Sequence, residues 1–119
     1  MITEGTWHET DGELHPSWRK AFNEEPVGAD LTSPCPSCGR QTLHRWFRLD
    51  FAKPKTILGV DYSGHGRAWE WCSHCRTFEH YMDGFVPVWW DEPYSVSSDA
   101  LTYHPEAIEE ARRKSLPPV

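Results

Sequence analysis

"RAWEWCSHCRTFEH", residues 67–80, sets Cys72 and Cys75 two residues apart inside an aromatic run, with Trp69 and Trp71 leading in. The spacing occurs once more, in Cys35-Pro36-Ser37-Cys38-Gly39, and 33 residues separate Cys38 from Cys72. In a C-x-x-C turn both sulfurs can face one ion while backbone N–H groups donate to them, and Gly39 supplies the dihedral freedom such a turn uses. Two such turns supply four sulfurs, the closed tetrahedral ligand set of a structural zinc site. Cys35, Cys38, Cys72 and Cys75 are therefore the expected metal ligands, with zinc as the expected ion. Iron in the same sulfur geometry is the alternative, and Arg76 after the second turn, where the first has Gly39, favours zinc. Two disulfides suit a reducing compartment poorly, and a redox-active pair would open a helix after a strand, a setting neither turn has.

Outward from the cysteines the pattern is mostly β. Residues 42–51 alternate, with Leu43, Phe47, Leu49 and Phe51 on one face and Thr42, His44, Arg48 and Asp50 on the other, as in a half-buried strand. Residues 67–72 and 77–82 read as two more strands flanking the second cysteine pair, and residues 56–60 as a further short one. Residues 61–66, Asp-Tyr-Ser-Gly-His-Gly, carry turn chemistry and read as a fingertip loop. Residues 85–90, broken by Pro87, are expected at a sheet edge or as an extended cover over the core.

Helices are expected at both ends. Pro16 suits a first helical position, and Trp18, Ala21 and Phe22 follow the spacing of one apolar face; Glu24 and Glu25 then oppose the helix dipole and Pro26 ends the element. Near the C-terminus Pro105 suits the first position, with Glu106, Glu109 and Glu110 early, Arg112, Arg113 and Lys114 late, and Tyr103 and Ile108 placed for a hydrophobic staple. A chain of 119 residues is the size of one domain. The expectation is a single α+β domain. It has an acidic lead-in with a short helix over 1–32, an antiparallel β core on two metal knuckles over 33–82, and an aromatic, acidic extension with a helix over 83–119.

Charge is spread unevenly. Residues 1–30 carry seven acids and two bases, residues 31–81 four and seven, and residues 82–119 seven and three, giving the formal net of −6. The start lacks a basic segment followed by an apolar one, and no stretch approaches a membrane span, so a soluble cytoplasmic protein is expected.

Four sulfurs on one ion leave no position for water, so the metal is expected to hold the fold and no enzyme activity is expected. His74 is expected exposed in its turn; His44, His65 and His80 have no evident nucleophile or acid partner and read as surface or packing residues. Arg40, Arg45, Arg48, Lys53, Lys55, Arg67 and Arg76, interleaved with Trp46, Phe47 and Trp69, are the pieces a nucleic-acid surface uses, but the overall negative charge opposes a polyanion. Trp18, Trp46, Trp69 and Trp71 are expected in the core. Trp89 and Trp90 point to opposite sides of an extended segment and precede Asp91 and Glu92, so these four are the candidate protein-binding residues.

The two knuckles, Cys35-Pro36-Ser37-Cys38-Gly39 and Cys72-Ser73-His74-Cys75, resemble those of the zinc ribbons over about residues 33–82, and the first is also similar to a rubredoxin turn. Some zinc ribbons that assist transcript cleavage present an Asp-Glu pair at the hairpin tip; here Asp61-Tyr62 stands there. Trp46-Phe47, "WEWCSHC", "VPVWW" and a short final helix make the whole chain look like small acidic bacterial immunity proteins of polymorphic-toxin and contact-dependent inhibition systems. That resemblance implies neutralisation of a basic, nuclease-like toxin. The alternatives are a nucleic-acid-associated ribbon of transcription or translation, and an iron electron carrier.

Overall fold

Trp69, Glu70, Trp71 and Cys72 are all buried. Neighbouring residues of a strand point to opposite faces, so such a run requires cover on both sides of its sheet. In the computed structural model, which describes residues 6–25 and 27–116, that cover is one helix per face. The elements run β1 (His8–Glu9), α1 (His15–Glu24), β2 (Leu43–Ile57), β3 (Val60–Cys72), β4 (Thr77–Pro87), a 3-10 turn (Ser98–Ala100) and α2 (Glu106–Ser115). Together they make an α+β fold with one four-stranded sheet in the order β1-β4-β3-β2.

Strands β2, β3 and β4 are antiparallel, as expected, but β1 lies parallel to β4 and makes the sheet mixed. The lead-in fills the outer edge of β4: His8 N donates to Arg76 O at 2.9 Å and Thr10 N to Phe78 O at 3.0 Å. Trp18, Ala21 and Phe22 of α1 pack with Leu31, Leu43, Cys35 and Cys72 on one face. On the other, Ile108 of α2 packs with Trp7, Trp46, Trp69, Trp71 and Phe78. The four tryptophans expected in the core are there, each contributing about 2–3 kcal/mol by its burial.

The alternation expected over residues 42–51 does not hold. Residues 43–46 are buried on both faces, whereas Leu49 and Phe51 are exposed, because the two cores lie at the knuckle half of the sheet. The fingertip is also displaced. β2 and β3 turn at Leu58-Gly59, both at positive φ (50° and 81°), the two-residue geometry that suits a twisted hairpin. Residues 61–66 belong to β3, and residues 56–60 straddle the turn. Gly64 and Gly66 serve close strand contact instead of a loop: a Cβ would stand 1.9 Å from Phe51 O and 1.8 Å from Arg48 O respectively, where β2 shifts register. β4 continues to Pro87, beyond the two residues that β1 covers, so the proline occupies an open edge.

The helices begin one residue from the expected points: Pro16 is second in α1, and Pro105 is the residue before α2. The end of α1 is closed by Arg45 from β2. Its Nη1 donates to Phe22 O at 3.2 Å, Nη2 to Glu25 O at 3.1 Å and Nε to Gly28 O at 2.6 Å, which offsets the acids Glu24 and Glu25. Pro26, the expected stop, lies outside the described residues. Tyr103, expected in a staple, packs edge-on against Phe78 and His80. Among the described residues no helix is long and apolar enough to cross a membrane.

Candidate metal centre

The second knuckle is the turn between β3 and β4, and the first immediately precedes β2. Register joins them: Leu43 pairs with Cys72, and Ser73 N donates to Thr42 O at 2.9 Å. The four sulfurs lie within 4.8 Å of one another, with Cys38 3.6 Å from Cys72 and Cys35 3.8 Å from Cys75. A disulfide would need about 2 Å, and all four thiols are free. Four sulfurs about 2.3 Å from a central ion stand about 3.8 Å apart in a tetrahedron. The cluster can therefore hold a metal ion.

The two turns are conformational copies. Gly39 N donates to Cys35 O at 2.7 Å and Arg76 N to Cys72 O at 3.1 Å, and Gly39 and Arg76 both take positive φ, 82° and 62°. Arg76 holds this uncommon conformation with its guanidinium 4.8 Å above the Trp7 ring. The residue difference after the second knuckle thus gives no preference between zinc and iron, contrary to the expectation drawn from it.

Hydrogen-bonding groups converge on the sulfurs. Ser37 N lies 3.3 Å from Cys35 Sγ, Cys75 N 3.4 Å from Cys72 Sγ, and the hydroxyls of Thr42 and Thr77 lie 3.0 and 3.2 Å from Cys72 and Cys75. The Cys35 thiol donating to Cys72, aided by Thr42 and the amides of Cys75 and His74, draws the Cys72 thiol below its usual value against the effect of burial. Trp18 Nε1 donates to Ser37 Oγ at 3.1 Å, tying α1 to the first knuckle. His74 is exposed, as expected.

His44 is a packing residue, one of the two roles expected of it, but it has polar partners that the sequence did not show. It is buried, with Nδ1 2.7 Å from Asp30 Oδ1 and Nε2 3.0 Å from Ser73 Oγ, a Ser-His-Asp arrangement in space that chain order does not show. Acyl-transfer chemistry would also require amides aimed at an oxyanion. Those of the knuckle are committed: Ser73 N to Thr42 O, His74 N and Cys75 N to Cys72 Sγ, and Arg76 N to Cys72 O. The trio ties the second knuckle to β2 and to the 29–31 segment, which pairs with the start of β2. Only a histidine inside an apolar strand start hinted at it.

Trp89 and Trp90 are both half-buried, packed on β2. The Arg45 guanidinium lies 4.6 Å over the Trp89 ring, and Trp90 meets Trp46 and Phe47 at 5.1 and 5.2 Å. Asp91 and Glu92 are exposed, and with Trp90 they line a groove of about 450 Å³ against Phe47, Arg48 and Leu49. Of the lead-in acids, Glu9 belongs to β1, at the opposite edge of the sheet, whereas Asp30 pairs with His44 of β2. Comparison with protein-family models, curated proteins and solved structures returned no match for this chain.

Proposed function

We propose that the chain is a zinc-pinned, non-catalytic protein-binding module, an immunity protein that neutralises a basic, nuclease-like toxin domain. The groove on β2 carries this reading. It combines an aromatic anchor, Trp90, an exposed apolar neighbour, Leu49, and an acidic rim, Asp91 and Glu92, the composition of a hot spot for a basic partner. A net charge of −6 supports steering toward such a partner. The sulfur set supports zinc as a closed structural ion, and metal analysis with a visible spectrum distinguishes it from iron.

The test is to look for a toxin domain encoded beside this protein and to measure growth rescue and affinity with it. Wild type rescues growth, and D91K/E92K binds about tenfold or more weakly, with a slower and more salt-sensitive association. Full affinity in that variant would remove the groove from the interface. A nucleic-acid ribbon is the second reading, favoured by exposed Phe51, Lys53 and Lys55 on the outer half of the hairpin. Binding to single-stranded oligonucleotides that collapses with added salt would select it.

A further inference from the structure

The two cores stop at the knuckle half of the sheet, and β2, β3 and β4 run on toward the Leu58-Gly59 turn with large apolar side chains bare. Register gathers several of them on one face. Phe51 pairs with His65 and His65 with Phe85, so the three side chains form a row across the three strands. The His65 and Phe85 rings lie 4.8 Å apart, and Tyr62 meets Phe85 at 5.3 Å. By alternation along β3 the row shares its face with Trp69 and Trp71. It lies beyond Arg67, whose guanidinium stands 5.4 Å over the Trp69 ring and pairs with Asp50, and so outside the core that α2 closes. Phe51 is 72% exposed and Phe85 38%. A contiguous aromatic face left bare in this way marks an interaction surface.

The charges around the row decide what fits it. Residues 47–67 and 82–87 carry four cations, Arg48, Lys53, Lys55 and Arg67, and three anions, Asp50, Asp61 and Asp83, a near balance on a chain whose total is −6. That is little positive charge for a polyanion and no negative excess for a basic partner. A second copy of the chain, repelled elsewhere by its own acidity, meets a nearly neutral surface here. The layout is also self-complementary. Lys55, with Nζ 5.2 Å from the Phe85 ring, lies on the turn side of the row, and Asp83, with its side chain 91% exposed and 3.8 Å from His65, lies on the knuckle side. A two-fold axis between two such faces, perpendicular to the line from Lys55 to Asp83, sets each lysine against the aspartate of the other copy with the rings between them. An apolar centre within a charged rim is the anatomy of a protein interface.

We propose that this face joins two copies of the chain in a two-fold symmetric dimer, with Phe51, Tyr62, His65 and Phe85 at its centre and Lys55 of each copy against Asp83 of the other. The dimer does not depend on the toxin-binding reading. Phe51 and Lys55 also belong to the nucleic-acid reading, and the experiment separates the two occupants.

The metal-loaded full chain is followed by sedimentation equilibrium over about 5–500 µM. The expected result is a reversible rise of the average mass from that of one chain toward that of two, with a dissociation constant of about 10–100 µM, as suits a small interface. F51K, at an exposed position, keeps the melting temperature of the dilute protein and associates at least about tenfold more weakly. K55D and D83K each associate more weakly as well, whereas their equimolar mixture associates about as tightly as wild type, because every pair across the axis is again of opposite charge. A chain that stays monomeric throughout, F51K that associates like wild type, or a K55D and D83K mixture no tighter than either variant alone would overturn the proposal. So would a monomer that binds oligo(dT) through Phe51, Tyr62 and Phe85, which assigns the face to nucleic acid.

Discussion

Stripping the metal from the four-sulfur cluster should unfold the knuckle half of the molecule. The sulfur–sulfur separations, 3.6 and 3.8 Å, divided by the edge-to-bond ratio of a tetrahedron, correspond to metal–sulfur bonds of about 2.2 and 2.3 Å, the length of a zinc–thiolate bond. These two edges match a bound ion, the other sulfur pairs lie within 4.8 Å, and the binding energy of the ion is available to folding. For structural zinc that is about 10–16 kcal/mol at pH 7, against a total stability of about 5–15 kcal/mol for a domain. Cys35 and Cys72 pack in one core with Trp18, Phe22, Leu31 and Leu43, so loss of the ion opens that core along with the turns. The assay is thermal melting by near-ultraviolet circular dichroism and tryptophan fluorescence, before and after chelation. The midpoint should fall by more than about 15 °C, or the cooperative transition vanish, with recovery on adding one equivalent of zinc. X-ray absorption should report four sulfurs at the stated distance. A demonstrably metal-free protein that melts at the original temperature, or fewer than four sulfurs around the ion, would refute the reasoning.

Two further outcomes follow from buried charge. Glu109 is 2% exposed, and although burial works against it, the hydrogen bonds from Arg112, Trp71 Nε1 and Arg113 hold its carboxyl at about 2. A depressed carboxyl stabilises the fold above its unfolded value of 4.5 and loses that contribution as pH falls toward 2, a term of roughly 3 kcal/mol. E109Q should thus be less stable by about that amount at pH 7 in urea titrations, with the gap closing below about pH 4.5; a gap independent of pH would contradict it. Arg45 holds three carbonyls at the end of α1 with a geometry lysine cannot copy, so R45K should cost about 2–4 kcal/mol, nearly as much as R45M. Retention of wild-type stability in R45K would show that charge alone suffices there.

The four-cysteine cluster was legible because covalent spacing alone constrains it: two residues between sulfurs allow one turn, and two turns can complete a tetrahedron. The apolar stripe of α1 and the charge order of α2 were legible for a similar reason, since helical periodicity is local. The core tryptophans followed from their size in so short a chain. Strand faces were not legible, because the alternation over residues 42–51 says nothing about where cover stops. That depends on α1 and α2, which bury residues 43–46 from both sides and leave Leu49 and Phe51 bare.

Turn glycines misled for a related reason. Gly64 and Gly66 look the same in sequence whether they bend a loop or admit a neighbouring strand, and only the register of β2 against β3 chooses. The same holds for the polar clusters. Asp30, His44 and Ser73 meet through pairing on both sides of β2, and Glu70 finds Arg19 across 51 residues of chain. By itself the sequence determined the four-cysteine cluster, the two helices and which aromatic rings must be buried, because each follows from spacing or composition. The tertiary structure alone decided which charges face one another and which edges stay open, because those depend on cross-strand register, which no local pattern records.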